Sequence, residues 1–68
     1  MYMVPVASSN ISSIGYENGT LHVAFHHGGL YAYFGVPESV YRSLMSSHSH
    51  GEYLARHIKG VYSCQKIR

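Results

Sequence analysis

The side chains with chemistry to offer in this 68-residue chain are seven tyrosines, six histidines, one cysteine, five Lys or Arg and three Glu, with no Asp. Tyr31 and Tyr33, two apart, can act as paired aromatic platforms on an open sheet face. Such platforms stack unpaired bases, each worth about 1–3 kcal/mol. On a covered face the same rings close the edge of the core and keep their hydroxyls wet. The candidate phosphate contacts are Arg42, Arg56, Lys59, Lys66 and Arg68, of which Arg56 and Lys59 fall three apart on one helix face. The same cations also suit an ordinary solvated helix and terminus. All five follow residue 41: residues 1–41 carry −2 and residues 42–68 carry +4. Nucleic-acid binding therefore requires the fold to bring a basic C-terminal part to the tyrosines, because phosphate attraction normally dominates affinity.

The histidines and the cysteine point less far. His26 and His27 are neighbours, and on a strand neighbours take opposite faces. His48 and His50 have only Glu52 close by in sequence, and no Cys-x-x-Cys or His-Glu-x-x-His spacing occurs. No metal site and no cofactor are expected. Without Asp a Ser-His-Asp arrangement is excluded, and Glu17, Glu38 and Glu52 would have to converge from a turn and two helix starts. Cys64, near the end of the chain, reads as a spectator, and Gly28-Gly29 as a hairpin turn, not a phosphate loop. So short a chain is also expected to lack a deep pocket of roughly 300 Å3 or more. A non-catalytic protein is expected.

Positioning these residues falls to a few short elements. Residues 8–17 read as an extended strand with an irregularity, because Ile11 and Ile14 are three apart. Asn18-Gly19 is a type I′ hairpin signal. In residues 20–26, Leu21, Val23 and Phe25 alternate with His22, Ala24 and His26, the pattern of a half-buried strand. After Gly28-Gly29, residues 30–36 make a third, aromatic-rich strand. Taking Leu21, Val23, Phe25, Ala32, Phe34 and Val36 as the inner set leaves His22, Tyr31 and Tyr33 outward; a bulge near Gly35 would swap the third strand.

The period changes at Pro37, which suits the first helical position, with Glu38 favourable to the helix dipole. Val36, Val40 and Leu44, with Tyr41 beside them, predict a helix over about 37–46. After the polar connector 46–50, Ser49 and Glu52 have capping-box spacing. A second helix follows, with Tyr53/His57 and Leu54/Ile58 as i, i+4 pairs, Glu52/Arg56 as a surface ion pair, and Gly60 as its stop. The tail, VYSCQKIR, reads as extended and pairing through Val61 and Tyr62. The fold class is α+β: a three-stranded antiparallel meander, extendable by a C-terminal strand, followed by and packed against two helices, as one domain over residues 1–68.

Composition bounds the rest. A chain of this length buries about 60% of its unfolded surface and has no disulfide to help it, which favours self-association. Charged residues are 12%, about half the usual share, so either a small core is tightly covered or a partner hides some surface. The first residues, MYMVPVASS, lack a basic leader pattern, and no apolar run spans a bilayer. A cytoplasmic setting without membrane contact is expected.

Several of these segments, in this order, resemble the KTSC domain family: Ser9-Asn10-Ile11, the central Tyr31-Ala32-Tyr33, Val36-Pro37, and Ser49-His50-Gly51 before the last helix. The resemblance covers residues 4–62 and leaves 63–68 as a tail. The family is found at the C-terminus of some lysyl-tRNA synthetases and as free-standing small bacterial and phage proteins, a context that suggests RNA binding. Residues and resemblance together lead to two expectations. One is a small non-catalytic module binding RNA or single-stranded nucleic acid, with bases on Tyr31 and Tyr33 and phosphates on Arg42, Arg56, Lys59, Lys66 and Arg68. The other is a protein-interaction module or homodimer using the aromatic face or a sheet edge.

Overall fold

The computed structural model describes residues 2–68. Five strands, β1 (Val4–Pro5), β2 (Ile11–Glu17), β3 (Thr20–Phe25), β4 (Leu30–Tyr33) and β5 (Cys64–Lys66), form one antiparallel sheet in the order β1-β2-β3-β4-β5. Helices α1 (Glu38–Met45) and α2 (His50–His57) lie between β4 and β5 in the chain. The meander with helices is the expected α+β class, and the tail does add a strand. Pairing runs through Cys64, Gln65 and Lys66, not through Val61 and Tyr62, because the turn after α2 takes up those two residues: Val61 and Tyr62 N–H both donate to the Ile58 carbonyl.

Loop length decides which side chains the sheet turns inward. Asn18 and Gly19, at φ 52° and 78°, make the two-residue turn that pairs Glu17 with Thr20. Ile14 and Tyr16 thereby share a face with Val23 and Leu21. An irregularity between Ile11 and Ser13 lets Ile11 and Ile14, three apart, both be fully buried.

The β3–β4 turn corrects the sequence-based expectation. Gly28-Gly29 read as a two-residue turn would set Ala32 opposite Phe25 and Phe34 opposite Val23. Instead the loop is the three residues 26–28: Phe25 N–H donates to the Gly29 carbonyl at 3.1 Å, and Gly28 N–H to the Phe25 carbonyl at 3.0 Å. Leu21 then pairs with Tyr33, and Val23 with Tyr31. A register change of one residue reverses a whole strand, so Tyr31 and Tyr33 lie with Leu21, Val23 and Phe25 on the helix-bearing face. Tyr33 is only 3% exposed, whereas Phe34 is 40% exposed on the other side. Gly35, at φ 70°, then turns the chain so that Val36 is buried and its N–H donates to the Gly19 carbonyl at 2.9 Å.

The core joins Ile11, Ile14, Leu21, Val23, Tyr33 and Val36 to Leu44 of α1 and to Leu54 and Ile58 of α2 and its end. Pro37 takes the N-cap position, one residue before its expected place. Tyr16 stacks on Tyr41 at 4.8 Å and donates to the Val36 carbonyl at 2.5 Å, tying β2 to the start of α1. The Ser49 hydroxyl accepts from Glu52 N–H at 3.3 Å, as the capping-box spacing requires. At the other end Gly60, at φ 77°, lies in the turn that follows α2.

These placements predict opposite outcomes for adjacent residues. Tyr33→Ala should destabilise the domain by about 3–5 kcal/mol, as truncation of a buried aromatic does. Phe34→Ala should cost under about 1 kcal/mol. Urea denaturation of both variants checks the β3–β4 register; the reverse order would mean the other face is inward.

Candidate functional site

Each helix is only eight residues long, about 12 Å, and together they leave part of the inner sheet face uncovered. That uncovered part is a cavity of about 230 Å3 lined by Phe25, His27, Tyr31, Tyr33, Lys59, Gly60 and Cys64. Strand pairing builds its floor. Tyr31 lies opposite Lys66, and Tyr33 opposite Cys64, so these four side chains share one face at neighbouring ladder positions. Phe25 closes an adjoining side: Tyr31 meets it edge-on at 5.5 Å and 83°, and His27 stacks on it at 5.4 Å and 14°. The turn after α2 supplies Lys59 and Gly60 from above.

The two tyrosines of the central motif have different roles. Tyr33, buried at the back of the cavity, cannot offer its face to a ligand. Tyr31 is half-buried at the rim. Burial, followed by the Cys64 thiol beside it and then Tyr31, pushes the Tyr33 phenol up from 10.0 to about 12. The phenol therefore stays neutral at any physiological pH.

The cations divide in two. Arg42 is held by Glu38 at 3.0 Å and Arg56 by Glu52 at 3.1 Å, both pairs on exposed helix surface. Neither arginine is at the cavity. Lys59, Lys66 and Arg68 have no carboxylate within ion-pair distance among the described residues. Lys59 lines the cavity, Lys66 faces Tyr31 across the ladder, and Arg68 lies next to the hairpin, where its carbonyl accepts from Leu30 N–H at 2.8 Å. Of the seven candidate residues the fold thus assembles Tyr31, Tyr33, Lys59 and Lys66, places Arg68 nearby and sets Arg42 and Arg56 apart. Phe25, His27 and Cys64 were not anticipated here. Phe25 was legible as inward-facing, but its pairing with Tyr31 depends on the turn length.

Three of the other histidines make local contacts. His26 Nε2 donates to the Ser8 carbonyl at 3.0 Å, His50 Nε2 lies 3.4 Å from the Met45 carbonyl, and His57 packs on Tyr53 at 4.5 Å. Among the described residues no group of three or more His, Cys, Asp or Glu converges as a metal site would require. No helix among them is long and apolar enough to cross a membrane.

The KTSC domain model matches residues 7–62. An uncharacterised protein of Stutzerimonas stutzeri is 37% identical over 70 residues, which cover 100% of this chain and 93% of that protein. The crystal structure of a KTSC domain protein from Yersinia pestis is 42% identical and superimposes with a TM-score of 0.95, covering 98% of this chain and 97% of that one.

Tyr33 makes the alkaline limb of stability predictable. An unfolded tyrosine ionises near 10 and the folded Tyr33 near 12, so its contribution is fully present below pH 10 and is lost as pH rises through 12. Tyr33→Phe should flatten the fall in stability between those values, read from urea midpoints. In the wild type the Tyr33 phenol should give a step in phenolate absorbance near pH 12 that Tyr33→Phe removes.

Proposed function

The chain belongs to the KTSC domain family, and on that footing we propose that it is a non-catalytic module that binds single-stranded nucleic acid, RNA first among them. One unpaired base enters the aromatic cavity, and Lys59 and Lys66 take the neighbouring phosphates. The observation that carries this is the coincidence of two independent features at one end of the sheet. Phe25, His27 and Tyr31 form a partly uncovered aromatic cluster, and of the cations without a carboxylate partner among the described residues Lys59 lines it and Lys66 lies opposite Tyr31 on the ladder. Single-strand binders use this combination of aromatic faces and unpaired positive charge. A cavity of about 230 Å3 suits one base and lies below the usual range for larger ligands.

The carboxylates support a non-catalytic reading. Glu38 and Glu52 are tied to arginines on the helices, and Glu17 closes the β2–β3 turn, so no two of them meet at the cavity. A protein partner added along the sheet edge is less well served. The outer strand β5 is exposed but only three residues long and carries Lys66, features that oppose strand addition.

The test is a titration of the 15N-labelled protein with a short single-stranded RNA at two salt concentrations. Tyr31→Ala should weaken binding about 5- to 150-fold, the loss of one stacked base. Lys59→Gln and Lys66→Gln should each lower the salt slope by about 0.7. Arg42→Gln and Arg56→Gln should leave affinity nearly unchanged. Absence of shifts at Phe25, Tyr31 and Lys59 at low salt would overturn the reading.

A further inference from the structure

The outer face of the sheet, opposite the helices, is not the polar surface that a solvated antiparallel sheet normally presents. Its positions in β3, β4 and β5, from Thr20, His22 and Ala24 through Leu30 and Ala32 to Gln65, hold no Lys, Arg or Glu. Met3, Leu30, Phe34 and Ile67 belong neither to the core nor to the side chains packed against it. Phe34 and Ile67 are 40% and 46% exposed. The two ends of this face differ in shape. At the end where the β2–β3 turn carries Glu17, exposed Phe34 follows Tyr33, the ladder partner of Leu21. At the other end lies an open groove of about 550 Å3, lined by Met3, Ser13, Ala24 and Leu30 with Arg68 at its margin. Ser13 lies opposite Ala24 and Ala24 opposite Leu30, so two small side chains form the groove's floor. Four residues of extended chain, about 13 Å, separate Leu30 from Phe34.

We propose that this face joins two copies of the chain in a two-fold dimer, with Phe34 of each copy seated in the groove of the other. A two-fold axis lying between the sheets and across the strands reverses strand direction. It sets the Phe34 end of one copy over the groove end of the other, and the contact is self-complementary, as an isologous interface requires. Charge follows the same order. Glu38 and Glu52 are tied to arginines, whereas Glu17 and Arg68 have no ion-pair partner among the described residues. They mark opposite ends of the face, so the reversal brings Glu17 of each copy to the Arg68 end of the other. Between those ends no Lys, Arg or Glu on the strands has to be desolvated. Area sets the strength. Five strands about 4.8 Å apart and some 20 Å long give a face of roughly 400–500 Å2. Two copies then bury about 800–1,000 Å2 together, the lower edge of specific interfaces, and the dimer is a weak one. The inference does not need the nucleic-acid reading. The helices and both aromatic cavities lie on the far sides of such a dimer and stay open.

The experiment is sedimentation of the full chain without nucleic acid, from about 10 μM to about 1 mM, where a weak interface of this size associates. The wild type should pass from monomer to dimer across that range. Phe34→Ala, which leaves the core intact, should weaken the dimer about tenfold or more, as loss of a central aromatic anchor does. Ile67→Glu, at an exposed position, should weaken it as well. Glu17→Arg should weaken it roughly threefold to tenfold through the two end pairs, and adding Arg68→Glu to the same chain should restore it. A chain that stays monomeric at about 1 mM, or a dimer that neither Phe34→Ala nor Ile67→Glu weakens, overturns the proposal. A dimer that needs Phe34 but ignores both charge reversals overturns the reversed-end arrangement, and with it the seating of Phe34 in the groove.

Discussion

The three-residue turn between β3 and β4 is the constraint on which the rest of the structure depends. It pairs odd-numbered residues of the two strands, Leu21 with Tyr33 and Val23 with Tyr31, and so puts every odd side chain on the helix side. A loop one residue shorter would have sent both tyrosines out and brought Phe34 in. The inner face would then lose Tyr33, which fills the end of the core between Leu21 and Cys64. Gly35 is the counterpart of this choice. Val36 has the wrong parity to follow Tyr33 inward along a regular strand, and the positive φ at Gly35 restores it to the core.

A second limit comes from size. Sixty-eight residues supply two helices of eight, and these cover Leu21, Ile14 and Tyr33 but stop short of Phe25 and Tyr31. Apolar surface that a larger domain would bury therefore stays reachable at one end of the sheet. The helices also sort the charge. Each carries a Glu and an Arg four residues apart, a surface pair worth about 0.3–0.5 kcal/mol. The energetic gain is small, but two of the three carboxylates and two of the five cations are engaged with each other. The positive charge left over belongs to the turn after α2 and to the last strand, which the sheet order brings beside the uncovered aromatics.

Local signals in the sequence were legible where the physics is local. The Asn18-Gly19 turn, the Ser49 cap, the Glu52–Arg56 pair and the irregularity between Ile11 and Ile14 each depend on residues a few positions apart, and each is present. Strand β1 escaped notice because two residues, one of them Pro5, carry no periodicity; Val4 is recognisable as a strand residue only through its partner Ile14. The tail strand was placed too early, since nothing in VYSCQKIR shows how many residues the turn after α2 consumes. The inward face of β4 was illegible for the same kind of reason. Glycines at 28 and 29 announce a turn without stating its length, and one residue reverses the outcome. Among the site residues, Tyr31, Lys59 and Lys66 stood out by type. Phe25, His27 and Cys64 join them only through pairings that turn lengths decide.

The Tyr-x-Tyr spacing can then be understood as a gradient and not as a matched pair. Residues two apart on a strand share a face but sit about 6.5 Å apart along it, and here the edge of helix cover falls between them. Tyr33, on the covered side, behaves as a core residue, with Cys64 opposite it on the ladder. Tyr31, on the uncovered side, meets Phe25 edge-on and faces Lys66 across the ladder. A buried ring with a fixed neighbour is a rigid back wall, and rigidity behind a recognition surface lowers the entropy lost when a ligand is held. The domain thus uses one strand of four residues both to close its core and to shape the surface next to it, so that Tyr31 inherits its position from the packing of Tyr33.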